Sequence, residues 1–430
     1  SESEHILDSL ARDSRARFRN SDEHRISVVV EHKGDPEAKL EIALDTLSKE
    51  TDRRWNLPGG IHRDSGPCRG SLAFIFPGQG SQKVNMLRPI ACRFPEMIKT
   101  VDDAERVFWN QQEDSGLASR IWPPRSWTDD TEQNESELRR TDVAQPALGA
   151  VSLGLFRVLS RFGVGADLFG GHSFGELTAL AASGRLSETD FHQLANFRGR
   201  LMASAGGDDA GSMLAVALPI HELERFVEEN CPHLVIANRN APQQAVLSGQ
   251  DAAISDAIRI LEQRGVRHRK LPVSAAFHSE EVASAAVPFE EVLQRARFHP
   301  SSATVFSNST AREYPEAESD AKSILAHQIA RPVQFLEMIQ EMVQRGATTF
   351  LEVGPGQVLT GLIRSILEDC SEGATAISID SGKLDLTDLA AAVGRLAVEG
   401  HPVDLCSWDP HGRSIENDED GMVVMIRGAN

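Results

Sequence analysis

The segment Gly171-His172-Ser173-Phe174-Gly175 sets a small hydroxyl between glycines where an apolar run gives way to a helix-like pattern. This GxSxG spacing predicts a tight strand-to-helix turn that lifts the serine hydroxyl out of a sheet and aims a helix amino end into the same space. The chemistry it suits is nucleophilic attack on a carbonyl, with the backbone N–H of Phe174 as half of an oxyanion hole. A serine hydroxyl is a weak nucleophile near neutral pH and needs a base within hydrogen-bond reach. The chain has 14 histidines. His172 is adjacent to Ser173 and so points elsewhere, which suits it to bracing the turn. His278 ends the apolar segment 273–277 and is the candidate base. Gln79, on the turn Pro77-Gly78-Gln79-Gly80 after the apolar run 71–76, either donates to an oxyanion or satisfies its own turn.

The elements that must position these groups alternate. An apolar strand over 71–76, a helical stretch over about 86–108, a polar loop with two tryptophans, and an apolar helix over about 144–162 come first. A strand at 166–170 and a helix from Phe174 follow, so the order predicts a parallel sheet with helices on both faces. Between 211 and 271 the pattern becomes β-α-β-β-α-β, which predicts a small ferredoxin-like subdomain inserted in the larger one. The body resumes at 272, with a strand at 349–353 broken by Gly354-Pro355-Gly356 and a further strand-helix pair at 376–398. Residues 1–70 read as a small α/β appendage: the run 26–30 precedes a helix capped by Asp35, with Pro36 in its first turn and Leu40, Ala43, Leu44 and Leu47 on one face. The Gly/Pro-rich stretch 59–70 is its boundary.

The fold class expected is therefore α/β: a large α/β-hydrolase-like subdomain (71–210 and 272–372) around a parallel sheet, an inserted ferredoxin-like subdomain (211–271), and flanking linkers at 1–70 and 373–430. The acidic run 416–420 is read as solvated.

With 430 residues the chain can bury a substantial core, and 40% apolar with 25% charged residues is an ordinary soluble composition. No apolar run approaches the roughly 18 residues of a membrane span. The charged opening argues against a signal peptide, a chain opening on serine suggests a segment of something longer, and the whole reads as cytoplasmic. A formal charge of −19 argues against nucleic acid and anionic membranes as partners. The five cysteines, at 68, 92, 231, 370 and 406, lack metal or disulfide spacing, so no metal is expected and they are read as packing residues.

Six ordered segments carry a family resemblance: FPGQGSQ at 76–82, GHSFGE at 171–176, RGRLM at 198–202, ANRNAPQQAVLSG at 237–249, AAFHS at 275–279 and EVGPGQVLTGL at 352–362. Together they resemble a malonyl-CoA:acyl-carrier-protein acyltransferase over roughly residues 71–370. The flanks resemble those of such a domain within a large synthase. The wording TDVAQPALGAVSLGL, GHSFGELTAL and PVSAAFH is similar to iterative polyketide synthases of the enediyne kind or to polyunsaturated-fatty-acid synthases, with the enediyne kind preferred.

The resemblance implies Ser173 as nucleophile, His278 as base, Gln79 and the Phe174 amide around the oxyanion, and Arg198 holding a malonyl carboxylate through its planar fork. Arg198 would otherwise read as a solvated helix residue, as Arg200 does. The family orients its histidine with backbone carbonyls, so a dyad is expected, with Glu176 structural. Asn240 and Gln243 are candidate pocket residues. No bound cofactor is implied: coenzyme A thioester is the donor, and the phosphopantetheine of an acyl carrier protein the acceptor, with neighbouring synthase domains as partners. Phe277, with Phe174, resembles the malonyl-selective version of these motifs, although Ala275 stands where histidine is usual. The run Arg264, Arg267, His268, Arg269, Lys270 reads either as a rim for CoA phosphates or an acidic carrier, or as ordinary solvated charge. Two other function classes remain: a serine hydrolase or thioesterase sharing GxSxG, which would want an acid before a late histidine and has no use for Arg198, and a non-enzymatic docking domain.

Overall fold

In a computed structural model, the described residues are 2–31, 34–50, 54–109, 116–124, 130–204, 211–272, 276–279, 285–370, 373–383, 385–409 and 424–427. The run 416–420 and Ala275 lie outside them.

Ser71–Phe76 is apolar on successive residues because it is covered on both faces, as a central parallel strand must be. Leu72, Phe74 and Phe76 enter one core cluster, while Ala73 and Ile75 enter the other, the period-two alternation of a strand. Around it the sheet runs Thr304–Val305, Leu168–Gly171, Ser71–Phe76, Ala347–Glu352, Thr375–Ser378, every pairing parallel. Thr141–Arg161 packs on one face together with Pro95–Trp109 and Glu188–Ser204. Phe335–Gln344 and Val358–Cys370 cover the other.

The smaller sheet has the order Val235–Ala241, Gln244–Gly249, Ser212–Val216, His268–Lys270, all antiparallel. Helices Ile220–Asn230 and Asp251–Gln263 complete the β-α-β-β-α-β motif, with the last strand beside the first as a ferredoxin-like sheet requires. The α/β class with its parallel sheet and inserted antiparallel subdomain is thus what the chain forms.

Several local expectations change. The helix expected over 86–108 is two, Arg88–Arg93 and Pro95–Trp109. Phe94 between them is extended, at φ −119° and ψ 115°, because the residue before a proline is pushed out of the helical region. The polar loop that follows contains short helices at Leu117–Ile121 and Thr131–Arg139.

The stretch 59–70, read as a boundary, holds the strand Ile61–Ser65, which pairs antiparallel with His24–Val30 and with Trp55–Leu57. Three of its four buried residues, His62, Arg63 and Asp64, are polar, so hydrophobic periodicity cannot mark it. Val424–Arg427 adds to His24–Val30 in parallel, so the two ends of the chain share one sheet. Asp35 caps Pro36–Lys49 by accepting from Ala38 N at 3.0 Å. Leu44, expected on the inner face, is 63% exposed, and the stripe that packs is Leu40, Ala43 and Leu47.

Thr141–Arg161, at 21 residues, is apolar enough by length and composition to cross a membrane, contrary to the expectation of no such run. It is instead buried along most of its length in the core. Of the five cysteines only Cys231 is buried; Cys68, Cys92, Cys370 and Cys406 are exposed, so they are not packing residues.

Candidate active site

Strand Leu168–Gly171 ends where helix Gly175–Ala182 begins, and Ser173 in the turn has φ +51°. A side chain in this left-handed region costs on the order of 1–3 kcal/mol and persists only where its surroundings over-determine it. They do so here: Ser173 N donates to Asn308 Oδ1 at 2.6 Å, Ser173 O accepts from Gln328 Nε2 at 2.8 Å, and Gly175 N donates to His172 O at 2.9 Å. The two glycines are required by close approach. A Cβ on Gly171 would lie 2.1 Å from Gly175 C, and one on Gly175 would lie 2.0 Å from Phe76 O.

His278, also left-handed at φ +59°, places Nε2 2.7 Å from Ser173 Oγ. Its Nδ1 lies 3.1 Å from the carbonyls of both Gln328 and Arg331. Carbonyl oxygens only accept, so Nδ1 carries the proton and Nε2 is left to accept from the serine hydroxyl. Burial lowers the imidazole pKa to about 3, with the Arg198 charge and His172 pushing the same way. The ring is therefore neutral, the form a general base requires. Backbone carbonyls stand where a triad would have a carboxylate.

Arg198, on helix Glu188–Ser204, is 1% exposed. Its Nη1 donates to Gln145 Oε1 at 2.7 Å and its Nη2 to Gln328 Oε1 at 3.0 Å, and the guanidinium carbon sits 5.9 Å from the Phe174 ring centroid. Burial lowers its pKa to about 10, offset in part by Glu176, so it remains a cation at neutral pH. Both hydrogen-bond partners are neutral amides. Among the described residues no carboxylate forms an ion pair with it, and a buried charge of this kind is costly unless an anion joins it. Arg200, by contrast, is exposed.

Glu176 lies fully buried under the turn and accepts from the Tyr314 hydroxyl, from Asn308 N at 2.9 Å and from Gln328 Nε2 at 3.2 Å. Burial raises its pKa against these hydrogen bonds. Gln328 thereby touches everything: its amide joins Arg198, Ser173 O and Glu176, and its carbonyl holds His278. Sequence reasoning misses Gln328, Asn308, Gln145 and Tyr314. Each has its partner far away along the chain; only Gln145, a polar residue set among apolar ones, carries a local signal, whereas Asn308 lies in the polar run 307–310 and Gln328 and Tyr314 stand beside other polar residues.

Gln79 differs from the simplest expectation. Its side-chain Nε2 donates to Thr141 Oγ1 at 3.1 Å. What remains is its backbone N–H, which, like that of Phe174, donates to no acceptor among the described residues. The two turns abut, since a Cβ on Gly78 would lie 2.3 Å from His172 O and 3.6 Å from Phe174 N. Asn240 lies with Oδ1 2.8 Å from His172 Nε2 and so braces the flank of the turn; Gln243 is exposed at the hairpin tip. Phe277 is 6% exposed within the core cluster, its carbonyl accepting from Ser248 Oγ at 2.9 Å. In the basic run, Lys270 pairs with Asp251 at 2.8 Å and Arg264 stacks 5.1 Å from the Phe226 centroid, while Arg267 and Arg269 are exposed at the sheet edge.

The arrangement therefore holds a hydroxyl with a neutral base, two adjoining backbone donors and a buried cation that, among the described residues, no carboxylate pairs with. Such a site can form an ester with an acyl group that carries a carboxylate.

A family model described as an acyl transferase domain matches residues 73–401. A polyunsaturated fatty acid synthase polypeptide of Thraustochytrium sp. is 30% identical over 90% of this chain, and the chain spans 14% of its length. Malonyl CoA-acyl carrier protein transacylase of Bacillus subtilis (strain 168) is 33% identical over 69% of this chain and 90% of its own. The crystal structure of the acyltransferase domain from the second module of the salinomycin polyketide synthase superposes with a TM-score of 0.74 at 29% identity, covering 94% of this chain and 88% of that one.

Proposed function

Because the chain belongs to the acyl transferase domain family, we propose that it transfers malonyl units from malonyl-CoA to the phosphopantetheine thiol of an acyl carrier protein by way of an ester on Ser173. His278 Nε2 takes the hydroxyl proton as Oγ attacks the thioester carbonyl. The oxyanion is met by the backbone N–H groups of Phe174 and Gln79, and loss of one such donor typically costs about 3–4 kcal/mol of barrier. The intermediate collapses, the proton passes to the departing CoA thiolate, and the malonyl ester remains. The carrier thiol then gives its proton to His278, attacks the ester, and Ser173 Oγ leaves and is reprotonated.

The observation that carries this reading is Arg198: a fully buried cation whose hydrogen-bond partners are neutral amides. A malonyl carboxylate supplies the missing anion, and by cancelling the guanidinium charge it also relieves one of the effects that depress His278. Phe277 is read as crowding a 2-methyl branch. The exposed Arg267 and Arg269 are read as a rim for CoA phosphate or an acidic carrier.

We read the chain as one domain of a multidomain synthase acting in the cytoplasm, beside neighbouring domains. The enediyne kind is preferred on the wording of residues 141–155, 171–180 and 272–278; the Thraustochytrium relative supports the polyunsaturated-fatty-acid kind instead. Incubation with malonyl-CoA followed by pantetheine separates transfer from hydrolysis. Discharge of the acyl-enzyme onto the thiol is the expected result. Free malonate formed at the same rate with and without thiol would make the protein a hydrolase.

A further inference from the structure

Cys68 and His401 form a second pair of the same chemical kind, away from Ser173. Cys68 Sγ lies 3.4 Å from His401 Nδ1, with the Gly70 carbonyl as a second acceptor at 3.4 Å, and is exposed, while the imidazole is 6% exposed. The proton positions on the ring follow from its other neighbours. Thr349 Oγ1 donates to Glu399 Oε2 at 3.1 Å, so toward His401 Nε2, 3.3 Å away, it can only accept. Nε2 therefore carries the proton, and Nδ1 presents its lone pair to the thiol.

Glu399 ends the relay as a carboxylate. Burial alone would raise its pKa, but Arg395 at 2.8 Å and Arg54 hold it below the ordinary value. His401 is kept neutral chiefly by burial, against the pull of Glu399. The geometry needs Gly400, which is at φ +92° and whose added Cβ would lie 3.1 Å from Cys68 N. Thiol, imidazole, hydroxyl and carboxylate thus stand in the sequence of nucleophile, base and orienting groups.

We propose that Cys68, with His401 as its base, is a reactive thiol site that undergoes exchange with small disulfides. Cys68 Sγ attacks one sulfur of the disulfide and its proton moves to His401 Nδ1. The S–S bond breaks, a mixed disulfide forms on Cys68, and the leaving thiolate takes the proton back from His401, so the disulfide is the only oxidant required. The site sits at the joint between the chain-end sheet and the body. Arg54 precedes strand Trp55–Leu57 of the former, and Thr349 belongs to central strand Ala347–Glu352. Cys68 lies three residues before the start of central strand Ser71–Phe76, whose far end faces Ser173. At about 3.3 Å per residue the two pairs lie roughly 20 Å apart.

The test is the rate at which 5,5′-dithiobis(2-nitrobenzoate) labels each cysteine of the native chain, resolved by peptide mass spectrometry. Cys68 is expected to react about tenfold or more faster than the other exposed thiols Cys92, Cys370 and Cys406, and His401→Gln is expected to remove that advantage while leaving Cys92 unchanged. A rate at Cys68 no greater than at Cys92, Cys370 and Cys406, or one indifferent to His401→Gln, overturns the proposal. Should His401→Gln fail to fold, the wild-type chain in denaturant decides: the advantage vanishes on unfolding if the relay causes it. An advantage that persists assigns the reactivity to local sequence and rejects the site.

Discussion

Two imidazoles stand at opposite ends of the same central strands, each against a nucleophile, and they are held differently. His278 at the carboxyl end is fixed by two backbone carbonyls and faces a buried cation, Arg198. His401 at the amino end is fixed through Thr349 to a carboxylate that two arginines hold ionised. The difference lies in where a negative charge is wanted. Around Ser173 the cation Arg198 has no ion-pair partner among the described residues, only the weaker pull of Glu176, so an incoming anion completes the site; around Cys68 the carboxylate is already present, and charge balance is internal. The carboxyl end is also where strain is stored, with Ser173 and His278 both left-handed, whereas at the amino end the positive φ values described fall on glycines such as Gly346 and Gly400.

Breaking the carboxyl end should have the largest effect. Ser173→Ala is expected to abolish acyl-enzyme formation and lower transfer by on the order of 10⁶-fold in kcat/KM. Next, His278→Ala should cost about 10²- to 10⁴-fold, with the burst of CoA release slowed to match.

A finer test concerns the cation. In the wild type, kcat/KM should show no acid limb near pH 6.5, because His278 is held at about 3 and is lost as a base only on protonation. Removing a positive charge makes protonation easier, so Arg198→Ala should move the limb upward toward 6.5, although burial retains part of the depression. A profile that does not move would separate Arg198 from His278. Phe277→Ser should raise methylmalonyl loading relative to malonyl by about tenfold, in line with the roughly 1–3 kcal/mol that excluding one methyl provides; an unchanged ratio removes Phe277 from substrate choice. Charge reversal at Arg267 and Arg269 should raise the KM for carrier protein or CoA substrate by about two- to fivefold. At the amino end Cys68→Ser should leave transfer within about twofold of wild type, and a larger loss would contradict the independence of the two pairs.

How far all this could be read beforehand depends on the kind of signal. The central strand Ser71–Phe76 and helix Thr141–Arg161 declare themselves because burial on both faces leaves long apolar runs. Ser173 stands out by its flanking glycines, which exist because Gly175 sits against Phe76 O and nothing larger fits. Gln328 is silent in comparison: it lies in a three-residue 3₁₀ turn and serves partners more than a hundred residues away in Ser173, Glu176 and Arg198. No local pattern encodes such a contact. The same holds for His401 against Cys68, while in the polar strand Ile61–Ser65 the buried Asp64 pairs with Arg54 and Arg69, a match that hydrophobic periodicity does not record.

The central claim, that Arg198 presents its charge to the acyl group carried by Ser173, is tested most directly by peptide-mapped mass spectrometry after mixing with equimolar malonyl-CoA and acetyl-CoA. The wild type should carry malonyl on Ser173 and little acetyl, and Arg198→Ala should reverse that preference. Equal malonyl and acetyl occupancy in the wild type, or a malonyl preference that survives Arg198→Ala, would contradict it.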